Sequence, residues 1–229
     1  MDELWADILK TIGLSVGAIL LLYAERLRTW LTHWIKNRGL NPVARAILTC
    51  RAIVDYLVEL RVTLCASRCY VMQFHNGQVF TSQDPVYRMS CTQEAVDRGL
   101  APVQPELQSI LVHQVWQEIA PLFGQTTGLP GVERVHQEDH PTHPPYRGTY
   151  YYVTQQIPQG WFQSMLVGHG AWSVAISPLI DTKGTLVGFV AVEFNDEAYK
   201  DGTTRPPDLY RVTHGAANIW YEIERHING

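Results

Sequence analysis

The chain has 229 residues and a mass of 26.0 kDa, room for one ordinary domain with an appendage, which excludes a multidomain enzyme. Its side chains are 46% hydrophobic and only 17% charged, so disorder is excluded and a large apolar surface must be hidden. The net charge of −4 is unevenly divided: residues 1–51 carry seven basic and four acidic side chains, leaving −7 on the remainder, a distribution that suits an anchor beside anionic lipid and speaks against a nucleic-acid binder.

From Thr11 to Tyr23 the sequence TIGLSVGAILLLY holds no charge. Thirteen residues rise about 20 Å as a helix, short of a bilayer core of about 30 Å, so a span has to run from about Leu4 to Ala24 with Lys10 snorkelling outward. Trp5 stands at one edge, and Arg26, Arg28, Trp30 and Trp34 at the other, as an aromatic belt with a basic collar requires. An acidic start followed by a basic cluster is the wrong order for a cleaved signal peptide. By the positive-inside rule it predicts a single-pass anchor over residues 1–38 with the following domain in the cytoplasm. Two other readings fit the same residues: an interfacial or partner-packed amphipathic helix, because Leu27, Trp30, Leu31 and Trp34 share a helical face, and a buried core helix.

Gly39 ends this segment, and Asn41 with Pro42 starts a helix expected to reach about Ala66, its apolar positions Ile47, Val54, Leu57, Val58, Val62 and Leu64 recurring at helical spacing. The run RCYVMQFHNGQVF then alternates with period two and predicts a hairpin turning at His75–Gln78, around Asn76-Gly77. Residues 81–104 read as loop with a short helix near Glu94–Arg98, and Pro105–Phe123 as a second amphipathic helix. A Gly-, Pro- and His-rich loop covers 124–147. Strand Tyr150–Gln156, helix Trp161–Leu166, a hairpin of Trp172–Ile180 with Leu186–Asn195, and a helix from about Pro206 to His226 complete the order.

Four cysteines, Cys50, Cys65, Cys69 and Cys91, show no CxxC pair and read as reduced, small buried residues. His136, Glu138, Asp139, His140 and His143 form a metal-like cluster, but the prolines at 141, 144 and 145 keep it extended and no cysteine joins it, so it reads as polar loop and no metal site is assigned.

The stretch Ala171–Leu179, Gly184, Leu186, Gly188 and the apolar strand to Phe194, with the hairpin from Arg68 to Phe80, resembles the GAF domain family over about residues 42–227. The resemblance implies an α+β fold, a GAF-like antiparallel sheet with helices on one face and variable loops on the other, preceded by the hydrophobic N-terminal helix. It further implies a membrane-anchored sensory or ligand-binding and protein-interaction domain, non-enzymatic, that relays occupancy through its helices to a second copy or a protein partner. The family's bilin-binding, cyclic-nucleotide and methionine-sulfoxide-reducing signatures have no matching residues here, so the cofactor is left unassigned. The short anchor and Phe74-His75-Asn76-Gly77 also resemble small GAF-like proteins encoded by tailed phages. The alternative is a structural or docking protein that uses the fold without a ligand.

Alternation along the strands groups Tyr70, Met72 and Phe74 with Val174, Ile176, Val190, Val192 and Phe194 as a bulky face against the helices. It leaves Gln73, His75, Ser173, Ser177 and Glu193 as a polar face that could orient a small-molecule ligand, or simply be solvated. His75 and Glu193 invite an acid/base pair, but no nucleophile motif, Walker loop or HExxH is present, so no catalytic residue is assigned.

Overall fold

The computed structural model describes residues 42–79, 85–125, 132–135, 148–204, 206 and 208–227, together with 23, 24, 26 and 28. The expected membrane segment and the 136–143 cluster lie outside the described residues. Among those described, no helix is long and apolar enough to cross a membrane.

Helix α1 spans Pro42–Thr63. Its end is set by the backbone: Cys65 takes φ 52°, Cys65 N–H bonds the Val62 carbonyl at 3.3 Å and Ala66 N–H the Arg61 carbonyl at 2.9 Å. This is the Schellman closure, with a cysteine where glycine is the usual residue. The chain then enters β1 (Arg68–Val79), and β2 (Pro85–Val96), β3 (Ile110–Leu111), β4 (Val132–Val135), β5 (Thr149–Val153), β6 (Ser173–Ile180) and β7 (Leu186–Phe194) follow. They form one seven-stranded sheet in the order β3-β2-β1-β7-β6-β5-β4 with every pairing antiparallel. Helices α2 (Trp116–Ile119), α3 (Trp161–Gly168) and α4 (Tyr210–Ile227) complete the α+β architecture.

The sheet is buried on both faces, within the compact unit Thr49–Arg225. On one face Cys69, Val71, Ala175, Val190, Val192 and Phe194 pack against Ile53, Leu57, Leu60 and Leu64 of α1 and Val212, Ala216, Ile219 and Ile223 of α4. On the other, Tyr70, Met72, Met89, Tyr152, Val174 and Phe189 pack under Val103, Leu107, Val115, Leu122, Phe162 and Leu166 of the intervening segments. Gly188 lies where β7 crosses the Met72–Gln73 peptide, and a Cβ there would run into the Met72 carbonyl oxygen.

Four expectations are corrected. β1 continues through Asn76, which still pairs with Tyr87, so the chain does not turn at Asn76-Gly77; the register irregularity between Asn76 and Val79 absorbs that dipeptide. Within the segment 81–104 read as loop with a short helix near Glu94–Arg98, residues Pro85–Val96 are instead β2, Glu94 being drawn into the sheet by its pairing with Tyr70, while 97–104 is irregular as expected. Pro105–Phe123 is broken into β3, two 3₁₀ turns and the four-residue α2: Ser109 sits at φ 59°, Ile110 pairs with Met89, and Pro121 lacks the N–H that a continuing helix needs. Helix α4 starts at Tyr210, after Asp208 at φ 58°, rather than at Pro206.

The face assignment is also corrected. Directly paired residues share a face, and Val71 pairs with Val190 while Met72 pairs with Phe189. Tyr70 and Met72 therefore belong to the loop-covered face, opposite Val190, Val192 and Phe194.

Candidate functional site

The five residues expected to share one polar face are divided between both. Gln73 and His75 follow Val71 on the helix-side parity of β1, where the sheet runs out from under the helices, Gln73 half-buried and His75 exposed. Ser173 and Ser177 are fully buried on the helix side, and neither hydroxyl has a hydrogen-bond partner among the described residues. Glu193 lies on the loop-covered face, so it does not meet His75.

Glu193 is a charge set in the apolar strand LVGFVAVEF, with 0% exposure. Burying a carboxylate is tolerable only when donors replace its water. Here the Tyr70 hydroxyl donates to Oε1 at 2.9 Å, His169 Nδ1 lies 2.9 Å from the same oxygen, and Arg68 Nη1 donates to Oε2 at 3.3 Å. Beside the carboxylate, burial and then its negative charge push the Tyr70 phenol well above its ordinary pKa, keeping it a donor. Arg68 also donates to the carbonyls of His169 and Ala101, at 3.0 and 3.2 Å, and its Nε stands 3.9 Å from Glu94. The Glu94 carboxylate in turn accepts the backbone N–H groups of Val103 and Gln104. The cluster therefore ties the segment around 101–104 and the end of α3 to strands β1, β2 and β7.

This tie continues to α1. Ser67 donates both N–H and Oγ–H to the Glu193 carbonyl, Asp97 N–H bonds the Ser67 carbonyl, and the Asp97 carboxylate receives Arg61 at 2.7 Å. At the opposite end of the same face the cover is looser. Phe123 meets Phe74 and Trp116 there in tilted contacts with ring centroids 5.9 and 5.2 Å apart, Phe74 also meets Phe189, and Trp116 and Phe123 remain 38% and 41% exposed.

On the helix-side parity of β1 and β2, beyond the helices, His75 Nε2 lies 2.9 Å from Ser90 Oγ, which also accepts Ser109 N–H at 2.8 Å. Arg88, the cross-strand partner of His75, donates to the carbonyl and hydroxyl of Ser109 at 2.9 and 3.1 Å.

Cysteine chemistry is muted. Cys69 and Cys91 are buried, and burial pushes the Cys91 thiol up to about 12 and the Cys69 thiol higher still. Cys50 and Cys65 are exposed, against the expectation of four buried cysteines. Among the described residues no group of His, Cys, Asp or Glu could hold a metal ion.

Sequence reasoning missed Arg68, Glu94 and His169. A signal existed: Arg68 and Glu193 are lone charges in apolar strands, and each needs a buried counterpart. Ser90 had no such signal.

No protein-family model matches the chain, and no curated protein is similar to it. Solved structures similar to it include the phycocyanobilin-bound GAF domain from a cyanobacterial phytochrome, with 14% identity over 89% of this chain and 96% of that one and a TM-score of 0.48. A far-red cyanobacteriochrome photoreceptor has 14% identity over 90% and 98%, with a TM-score of 0.45. A domain of a two-component sensor histidine kinase protein from Sinorhizobium meliloti 1021 has 13% identity over 77% and 91%, with a TM-score of 0.39. With identities under 25% and TM-scores under 0.5, nothing about ligand or role follows from these likenesses.

Proposed function

We propose that this chain is a membrane-anchored, GAF-like sensory and interaction module that binds a flat, largely apolar small molecule at the Phe74, Trp116 and Phe123 rings. The observation that carries the reading is a cluster of partly exposed aromatic rings continuous with the core, at one end of a sheet face whose other end is closed by a buried ionic cluster. No chemistry at the ligand is needed. Occupancy shifts the covering segments, which are bonded through Arg68, Glu193, Ser67 and Asp97 to Arg61 on α1, and α1 leads back toward the N-terminal anchor. The exposed side chains Val58 and Val62 on α1 and Tyr221 on α4 offer a surface for a second copy.

The test is a thermal-shift screen of the full chain with nucleotides, amino acids and tetrapyrroles. A compound that raises the melting temperature of the wild type, but not of Trp116→Ala or Phe123→Ala, supports the reading. If no compound does so, ligand sensing at these rings is ruled out. A second reading, a docking protein with no ligand, is favoured by one observation: the space beside Ser173 and Ser177 is filled, since both are fully buried on the helix-packed face.

A further inference from the structure

We propose that Ser90 is an activated nucleophile that accepts an acyl group from an ester or thioester, with His75 as its base. This goes beyond the ligand reading and does not depend on it. A serine hydroxyl is a poor nucleophile until a neighbouring imidazole takes its proton in the transition state. Ser90 Oγ lies 2.9 Å from His75 Nε2, the separation that transfer requires. In the proposed step the Ser90 hydroxyl proton passes to His75 Nε2, while the Ser109 N–H donates to Oγ at 2.8 Å and fixes the oxygen.

The surroundings are built to hold that geometry. Ser109 is a non-glycine residue at φ 59°, a strained conformation, and it persists because Arg88 grips both its carbonyl and its hydroxyl. Arg88 is the cross-strand partner of His75, so the residue that holds Ser109 is set by the same register. Regular pairing of Gln73 with Ser90 and of His75 with Arg88 holds the two strands in the register that brings His75 diagonally onto Ser90. His75 is exposed and Ser90 half-buried, so an acyl donor can reach them.

The step balances. Ser90 Oγ forms a bond to the acyl carbon, the donor's C–O or C–S bond breaks, and the serine proton passes to His75 Nε2 and then to the departing alcohol or thiol. Among the described residues no carboxylate hydrogen-bonds to His75, so the pair is a dyad. The proposed step ends at the acyl-serine, one equivalent per chain.

The experiment treats the full chain with p-nitrophenyl acetate, following p-nitrophenolate release and mapping acetylation by peptide mass spectrometry. The expected result is a burst approaching one equivalent, with acetyl on Ser90. Ser90→Ala loses the burst, and His75→Gln slows it about 100-fold. His75 is exposed and Ser90 only half-buried, so both variants keep a cooperative melting transition. Acetylation confined to lysines, a burst that survives Ser90→Ala, or a rate indifferent to His75→Gln each overturns the assignment.

Discussion

Glu193 shows how a single residue can dictate its surroundings. A carboxylate with no solvent contact is held by Tyr70, His169 and Arg68, and Arg68 is itself only 4% exposed. Removing one member of such a pair leaves the other charged and buried. Glu193→Ala should therefore cost about 3–5 kcal/mol in denaturant unfolding, whereas the double variant Arg68→Met with Glu193→Leu should recover most of that loss. A single-variant cost under about 1 kcal/mol would show that water reaches the arginine. The charges at 68 and 193 were legible in the sequence, but their meeting was not: 125 residues separate them, and only strand register brings them together. His75 misled for the same reason, since an acid/base partner for it was sought on a strand that points its carboxylate to the other face.

At the scale of elements, the hairpin β6–β7 was readable because the turn signal Asp181-Thr182-Lys183-Gly184, with Gly184 at φ 83°, separates two short apolar runs of strand length. The region between β1 and β5 was not, because its short pieces are decided by contacts with distant strands rather than by periodicity. Asn76-Gly77 is a strong turn signal that pairing with β2 overrode, and the apolar spacing of 107–119 suited a helix equally well. The strands carried no parity signal either, being apolar on both sides. The end of α1 offers a test of backbone chemistry. Cys65 occupies the left-handed position that glycine fills without steric cost, so Cys65→Gly should raise stability by about 1 kcal/mol, read as a higher melting temperature with unchanged far-UV dichroism. A lower melting temperature would mean that the thiol's contact with the Val62 carbonyl outweighs the strain relieved.

For the whole molecule, the proposed anchor gives the simplest prediction. The full chain should float with phosphatidylglycerol-containing vesicles in a density gradient, and a chain lacking residues 1–38 should stay at the bottom; equal behaviour of the two would remove the anchor from the proposal. Sheet order carries a further consequence, for the time course of folding. The central pairing joins β1 to β7, the first strand of the sheet to the last, with Arg68 opposite Glu193. Everything from β2 to β6 is one long excursion closed by that seam. The closure entropy must be met before the seam returns any contact energy, which places this chain among slow folders, on the millisecond-to-second scale. Until the seam forms, β1 and β7 each present an unpaired apolar edge, so a ribosome-bound chain stays open to wrong partners until its last strand has emerged.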